Sequence, residues 1–439
     1  MQHDPENVLR VIRSCTIQSR KHSLLQSVFS FFFYMKDILE QLSSSLAWEE
    51  FYQYKVEKRQ LNKSETLQLR SFIDEKRYLD ICKDLHFSYP LKKQIAKIDS
   101  RKKRIVYSYT KDETWVLKLL AYLLYGYDHK LSDNCYSFRR NINASHAFEK
   151  IKKIDGLDDK YVLKLDIHDY FNSIDVDQLL DILENIIEEK DLYDFFRYLL
   201  KQDKCYFNDE LIEEKRGAMA GVPLASFFAN FYLLDLDNYF EKLHIPYFRY
   251  SDDMIIFFDD MEKLNEKFNY LTAFLSEKKL QLNMDKYHIS KPGEPFEFLG
   301  FSYYKNKIDI SEATIRKMKG KIRRKARKLY VNRKKKGQSF KQAARSMINS
   351  FDHKFYDFKG DNDFTWIRFY FPLLNCTDGL HEIDQYMLMY LRYLYSGRHN
   401  KGNYKVTYEE LKKLGYTPLV AEYYRWKKEN HDLYIQNRK

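Results

Sequence analysis

Three aspartates stand where the surrounding sequence makes a charge expensive. Asp252 and Asp253 lie between two apolar runs, Tyr247-Phe248-Arg249-Tyr250 and Met254-Ile255-Ile256-Phe257-Phe258, and Asp166 closes a third, Tyr161-Val162-Leu163-Lys164-Leu165. An aspartate that merely starts a turn is common, because its carboxylate bonds nearby backbone amides. A lone Asp-Asp pair carries no more than that. Here apolar residues flank both positions tightly, and clustered buried carboxylates are costly unless they bind metal or pair with cations. Two carboxylates from different strands, converging on two Mg²⁺ ions about 4 Å apart, are what in-line displacement on a phosphate requires. One ion activates an attacking 3′-hydroxyl, and the other holds a triphosphate and its leaving pyrophosphate.

Such acids need rigid elements to hold them, and the pattern supplies them. Residues 161–167 read as a strand ending on a carboxylate, and 247–250 and 254–258 as two strands joined by Ser251-Asp252-Asp253. Helices are expected at about 176–190, over 218–236 as one long apolar element, and at about 262–279. Strands follow at 287–290 and 296–304. Strands interleaved with helices, with acids at a strand end and a hairpin tip, imply an α+β sheet presenting a metal site. Upstream, 24–46 and 65–85 read as amphipathic helices. A basic patch (Lys92, Lys93, Lys97, Arg101, Lys102, Lys103, Arg104) leads into a β-like run at 104–109, and 115–127 reads as a buried helix. Beyond 310 the composition shifts: residues 311–350 hold fifteen Lys and Arg against a single acid, Glu312, so this helical stretch lacks the acids a solvated helix carries. An aromatic-rich helical tail completes the chain.

The 439 residues suggest two or three packed domains, and a net charge of +12 favours a polyanionic partner, nucleic acid above all. The five cysteines lie far apart without a CxxC, which excludes a disulfide framework and a zinc ribbon and fits a reducing cytoplasm. The N-terminus MQHDPENVLR has no basic region followed by an apolar stretch, and the apolar cluster at 28–35 is too short to span a bilayer. The expectation is a soluble, cytoplasmic protein with no membrane contact.

Leu165-Asp166-Ile167-His168-Asp169-Tyr170-Phe171-Asn172 resembles motif A of reverse transcriptases, xDIxxxF, and Tyr250-Ser251-Asp252-Asp253 resembles their YxDD motif C. Lys286, after Leu280-Gln281-Leu282-Asn283, is similar to the motif D lysine. Phe298-Leu299-Gly300-Phe301 is similar to the FLG primer-grip segment, and Tyr136-Ser137-Phe138-Arg139 to the GFR-type fingers motif of intron-type and related bacterial enzymes. The five stand in the family's order over about 95–310. The resemblance implies an α+β right-hand polymerase: a helical N-terminal extension at 1–94, fingers and palm at 95–310, and a basic helical thumb and C-terminal region at 311–439. It implies addition of dNTPs to a 3′-hydroxyl on an RNA template, giving a DNA product, with Mg²⁺ as cofactor and Mn²⁺ as a possible substitute.

The same resemblance assigns roles. Asp166, Asp252 and Asp253 are the catalytic acids and, with Ile167, the metal site. Phe171 is a steric gate against a ribose 2′-hydroxyl, or else a core phenylalanine. Asp169 flanks the triphosphate or is a solvated turn acid. Arg104 reaches the triphosphate or belongs to a solvated basic loop, and Arg139 faces a similar choice, with structural pairing as its alternative. Gly221 belongs to the nucleotide-binding loop. Lys286 protonates or neutralises the leaving pyrophosphate, or is an exposed lysine. From the basic run itself, Arg323, Arg324, Arg327 and Lys328 contact nucleic acid, or else form a solvated basic face.

Motif B departs from the family pattern. Over Arg216 to Asn230 the glycines Gly217 and Gly221 and Asn230 hold their places, but Met219-Ala220 stands where the family has Pro-Gln, so the glutamine that contacts the nascent base pair is absent. That departure resembles the unknown-group and abortive-infection-like bacterial enzymes of anti-phage defence, which implies a dedicated non-coding RNA as template. The alternatives are a retron or group II intron-type reverse transcriptase, template-independent or protein-primed synthesis, and a non-catalytic RNA-binding scaffold.

Overall fold

The computed structural model describes residues 37–96, 103–356, 365–400, 403 and 405–430; the apolar cluster at 28–35, much of the expected helix at 24–46, and Lys97, Arg101 and Lys102 lie outside them. Among the described residues the strands form three sheets. The first joins β1 (Leu91–Ala96) and β2 (Lys103–Ser108) to a hairpin of β4 (Lys204–Phe207) and β5 (Glu210–Glu213), in the order β2-β1-β4-β5. The central sheet has the order β6-β7-β3-β8, from β3 (Tyr161–Asp166), β6 (Tyr247–Tyr250), β7 (Asp253–Phe258) and β8 (His288–Ser290), all antiparallel. The third is a meander of β9 (Phe296–Phe298), β10 (Phe301–Tyr304) and β11 (Lys307–Ile310).

Alternation along β3 and β7 sends side chains into two different cores. Leu163, Leu165, Met254 and Ile256 face one, built with the helices Val176–Ile186, Ala225–Tyr232 and Met261–Glu277. Val162, Ile255 and Phe257 face the other, shared with the β9–β11 meander and the helices Glu312–Lys336, Phe340–Phe355, Asp378–Ser396 and Leu419–Glu429. The N-terminal helices Ser45–Glu57, Lys63–Asp74 and Tyr78–Cys82 gather Trp48, Phe51, Phe72 and Tyr78 into the first core.

Several expected elements are corrected. The helix at 65–85 breaks where Lys76 takes a positive φ of 53°, and in the 24–46 stretch the chain restarts at Ser44, whose hydroxyl caps the helix Ser45–Glu57. The helix expected at 176–190 stops at Ile186, and a second one, Lys190–Lys201, begins at once. The buried helix at 115–127 starts earlier, at Lys111, behind a Thr110–Glu113 capping box, and passes into 3₁₀ geometry after Leu123. The long helix at 218–236 does not form: residues 217–221 carry positive φ at Gly217, Met219 and Gly221, which no helix tolerates, and helices occupy only Ala225–Tyr232 and Leu234–Lys242. The strand at 296–304 folds back at Leu299-Gly300, both left-handed, to give β9 and β10. The β4–β5 hairpin was not anticipated. Its two-residue Asn208-Asp209 turn, left-handed at both positions, is the signal that marks it.

Candidate active site

The central sheet brings the three aspartates together. In the β3–β7 ladder Asp166 lies directly opposite Asp253, and Asp252 occupies the tight turn that joins β6 to β7. Ser251 enters that turn with φ of 60°, and the N–H of Ile167 donates to the Asp252 carbonyl at 3.2 Å, fixing the turn against the end of β3. Asp166 is 3% exposed and held from the far side: Asn283 gives it a backbone bond of 2.7 Å and a side-chain bond from Nδ2 to Oδ1 of 2.8 Å. The Lys286 ammonium pairs with its Oδ2.

Three acids against one ammonium leave an excess of negative charge. Burial, then the neighbouring Asp166, push the Asp252 carboxyl above the ordinary carboxylate range. Burial and the adjacent Asp252 push Asp253 up to about 6. Burial works to lower the Lys286 ammonium, yet its bond to Asp166 and the charges of all three acids leave it raised. Oxygen donors alone, stressed by mutual repulsion, suit a hard divalent cation.

Around the acids lie the other residues singled out by the sequence. The Phe171 ring is half-buried and meets Phe138 edge-on at 6.3 Å, and Phe138 in turn lies 6.1 Å from Tyr250. Phe138 is 40% exposed, with a left-handed backbone. Asp169, also left-handed, is exposed and accepts from Asn172 Nδ2 at 3.2 Å. Arg104 is exposed on β2 opposite Ile95, and its charge is felt at Asp252, where it pulls against the upward shift.

The motif B loop is wedged between the motif A segment and β2. A Cβ at Gly217 would fall 2.7 Å from the Phe171 and Asn172 carbonyl oxygens, and one at Gly221 would fall 2.9 Å from the Tyr107 carbonyl, so both positions require glycine. Ala218 N–H bonds the Phe171 carbonyl at 2.8 Å, and Tyr107 N–H bonds the Ala220 carbonyl at 2.7 Å. Met219 and Ala220 are 1% and 9% exposed, and the Met219 sulfur receives the Tyr109 hydroxyl. The departure from Pro-Gln therefore fills the core and offers no polar side chain to a base pair.

Arg139 resolves to its structural alternative: its guanidinium donates to the backbone carbonyls of Asp128, Ser132 and Cys135 at 3.0–3.2 Å. Arg323, Arg324, Arg327 and Lys328 lie remote in sequence on the helix Glu312–Lys336. All four are exposed: Arg324 and Lys328 face away from the buried Ile315, Met318, Ile322 and Ala326, and Arg323 and Arg327 flank that stripe. Among the described residues no carboxylate pairs with any of the four, and the crowding is felt by Lys321, lowered by burial and then by Lys354, Arg324 and Lys317. Sequence reasoning missed Asn283, Asn172 and Phe138 as site residues, although each lies inside a quoted motif. Their signal was a polar or aromatic side chain one to three places from a named residue.

Residues 92–303 match the family described as Reverse transcriptase (RNA-dependent DNA polymerase). The chain carries a reverse transcriptase domain. That domain contains every candidate site residue from Arg104 to Lys286, is the domain of RNA-directed DNA polymerases, which are nucleotidyltransferases, and has the α+β polymerase fold. A telomerase from Candida albicans, in complex with a TWJ fragment of telomeric RNA, is similar at 12% identity over 74% of this chain and 62% of that one, with a TM-score of 0.42. The apo telomerase from Candida tropicalis is similar at 10% identity over 70% and 64%, with a TM-score of 0.44. The match spans about three fifths of the length of these telomerase chains. No curated protein matches the chain. Among the described residues no helix is long and apolar enough to cross a membrane.

Proposed function

We propose that this protein extends a 3′-hydroxyl with dNTPs on an RNA template, forming a new phosphodiester bond and releasing pyrophosphate. The observation that carries this reading is the register that sets Asp166 opposite Asp253 with Asp252 in the adjoining turn. Asp166, Asp252 and Asp253, with the backbone at Ile167, would hold Mg²⁺, for which Mn²⁺ can substitute, and the bound metal would supply Lewis-acid activation of the 3′-hydroxyl and positive charge for the leaving pyrophosphate. Lys286 adds a second positive group on the pyrophosphate side, and Arg104 and Asp169 flank the triphosphate. Gly221 lets the loop backbone approach the nucleotide, and Phe171, backed by Phe138, closes under the sugar. The fingers and palm span 95–310 after an N-terminal extension at 1–94 that is helical at Ser45–Glu57, Lys63–Asp74 and Tyr78–Cys82. The region 311–439 forms the thumb, whose face of Arg323, Arg324, Arg327 and Lys328 follows the phosphates of the template–product duplex.

The finer reading is a cytoplasmic enzyme of bacterial anti-phage defence that copies a dedicated non-coding RNA, supported by the buried Met219-Ala220 in place of Pro-Gln. The test is extension of a DNA primer on an RNA template by purified protein with Mg²⁺ and dNTPs, beside Asp252→Asn, Asp253→Asn and the double variant that carries both. Wild type should extend, and the variants should not while remaining folded and bound to RNA. Extension by the folded double variant would sink the polymerase reading.

A further inference from the structure

A charged pair with no solvent contact lies directly beneath the catalytic turn. Arg249 and Asp237 are both 0% exposed and joined twice, through Nε to Oδ1 at 2.7 Å and through Nη2 to Oδ2, with the Tyr247 hydroxyl adding a bond of 3.0 Å to the same carboxylate. Such a pair adds little net stability over apolar residues of the same volume, so its presence asks for a role in geometry. The remaining donors of the guanidinium give one. Nη1 donates to the carbonyl of Ser251, the residue that starts the turn carrying Asp252, at 3.3 Å. Nη2 also donates to the carbonyl of Asn230 at 3.1 Å.

Asn230 carries the connection onward. Its side chain exchanges two bonds of 2.8 Å with Ser137, one to the Ser137 hydroxyl and one to its carbonyl. Ser137 immediately precedes Phe138, whose ring meets both Phe171 and Tyr250. The backbone repeats the tie, since Arg249 N–H bonds the Asn134 carbonyl and Tyr136 N–H bonds the Arg249 carbonyl, each at 2.9 Å. A single guanidinium thus grips the turn that presents a catalytic acid and, through Asn230, the segment that presents the ring behind the sugar.

We infer that Arg249 is a positioning residue that sets the Ser251-Asp252 turn and the Phe138–Phe171 ring pair together, so that catalytic rate and sugar selection depend on one buried contact. The inference rests on the polymerase reading above. Arg249 touches neither substrate nor metal in this arrangement. Its effect passes through the Ser251 carbonyl on one side and through Asn230 and Ser137 on the other.

The test separates geometry from stability. Removing Arg249 alone would strand a buried carboxylate, so the informative protein is Arg249→Met with Asp237→Leu, which removes both charges and keeps the volume. Arg249→Lys is its companion: it leaves a charge for Asp237, but one ammonium cannot reach the carboxylate and both carbonyls in the planar fork of a guanidinium. Each protein is first checked for wild-type secondary structure and a cooperative melt. The readouts are kcat for a dNTP and the ratio of kcat/KM for dNTP over rNTP, a ratio that cancels any loss of active protein. A displacement on the order of 1 Å at the turn should cost up to about a hundredfold in kcat, and the ratio should fall with it. If the double variant fails to fold, Arg249→Lys decides by the same two numbers. Folded variants with wild-type kcat and ratio overturn the inference and leave the polymerase reading standing. Wild-type protein that incorporates nothing overturns that reading itself.

Discussion

Metal-free Asp253→Asn protein should be more stable than metal-free wild type at pH 8, although it should incorporate no nucleotide. The reason is the stress on the carboxylate cluster. Burial, then Asp252, raise Asp253 from an ordinary 3.8 to about 6, so the fold prefers the neutral acid more strongly than the unfolded chain does. The stability this group allows is fully present below about pH 4 and is lost as pH rises through about 6. At pH 8 it is charged in both states, and the folded state bears the whole penalty. A displacement of about two pH units, at 1.36 kcal/mol each, sets an upper limit of about 3 kcal/mol. Asparagine matches the size of the side chain and removes the charge at every pH. The assay is thermal denaturation in EDTA from pH 4 to 8. The Asn variant's advantage should be largest at pH 8, shrink through pH 6 and vanish near pH 4. Mg²⁺ should then raise the Tm of wild type more than that of the variant, because the ion binds the native cluster. An Asn variant that is less stable than wild type at pH 8 in EDTA, or an advantage that ignores pH, refutes the electrostatic reasoning.

Phe171→Ala should lower the dNTP-over-rNTP ratio of kcat/KM, since the clash with a 2′-hydroxyl disappears; an unchanged ratio in folded protein returns Phe171 to core packing. Because the ring is only half-buried, the stability cost should fall below the roughly 3–5 kcal/mol of a fully buried phenylalanine, which a melt measures directly. Arg323→Ala, Arg324→Ala and Arg327→Ala combined should weaken nucleic-acid binding and flatten log K against log salt by about 3, at roughly 0.9 per phosphate contact on a duplex; a wild-type slope identifies a merely solvated face. Lys286→Gln should lower kcat by about a hundredfold or more if the ammonium acts on the leaving group, and pre-steady-state incorporation reads it out.

Much of the palm was legible because its physics is local. Short apolar runs at 161–165, 247–250 and 254–258 announce buried strands, and the Asp-Asp between the last two marks the tight connection that joins them. The stretch at 218–224 misled for a definite reason: its residues are apolar because a loop is buried there, and apolarity alone does not report helical dihedrals. Asn283 and Asn172 escaped because their work is done by hydrogen bonds across tertiary contacts that no spacing encodes: Asn283 to Asp166, and Asn172 to the Ile105 carbonyl and from the Ala220 N–H. Arg249 was in plain view within a strand, yet nothing local says that its charge meets Asp237 inside the protein. Arg139 resolved in the opposite direction, from a candidate phosphate ligand to an anchor for three carbonyls.

The two-sided burial of β3 and β7 also has a consequence in time. Local openings that admit solvent to a backbone amide are drawn from regions with few buried contacts, and these strands have a core on each face. Amides such as Leu163 and Ile256, paired across the ladder, are therefore placed to exchange their hydrogens only when the protein unfolds globally. The exposed β4–β5 turn at Asn208-Asp209 can open and close many times in the same interval. The carboxylates at the strand ends thus keep their spacing through fluctuations that open such exposed turns.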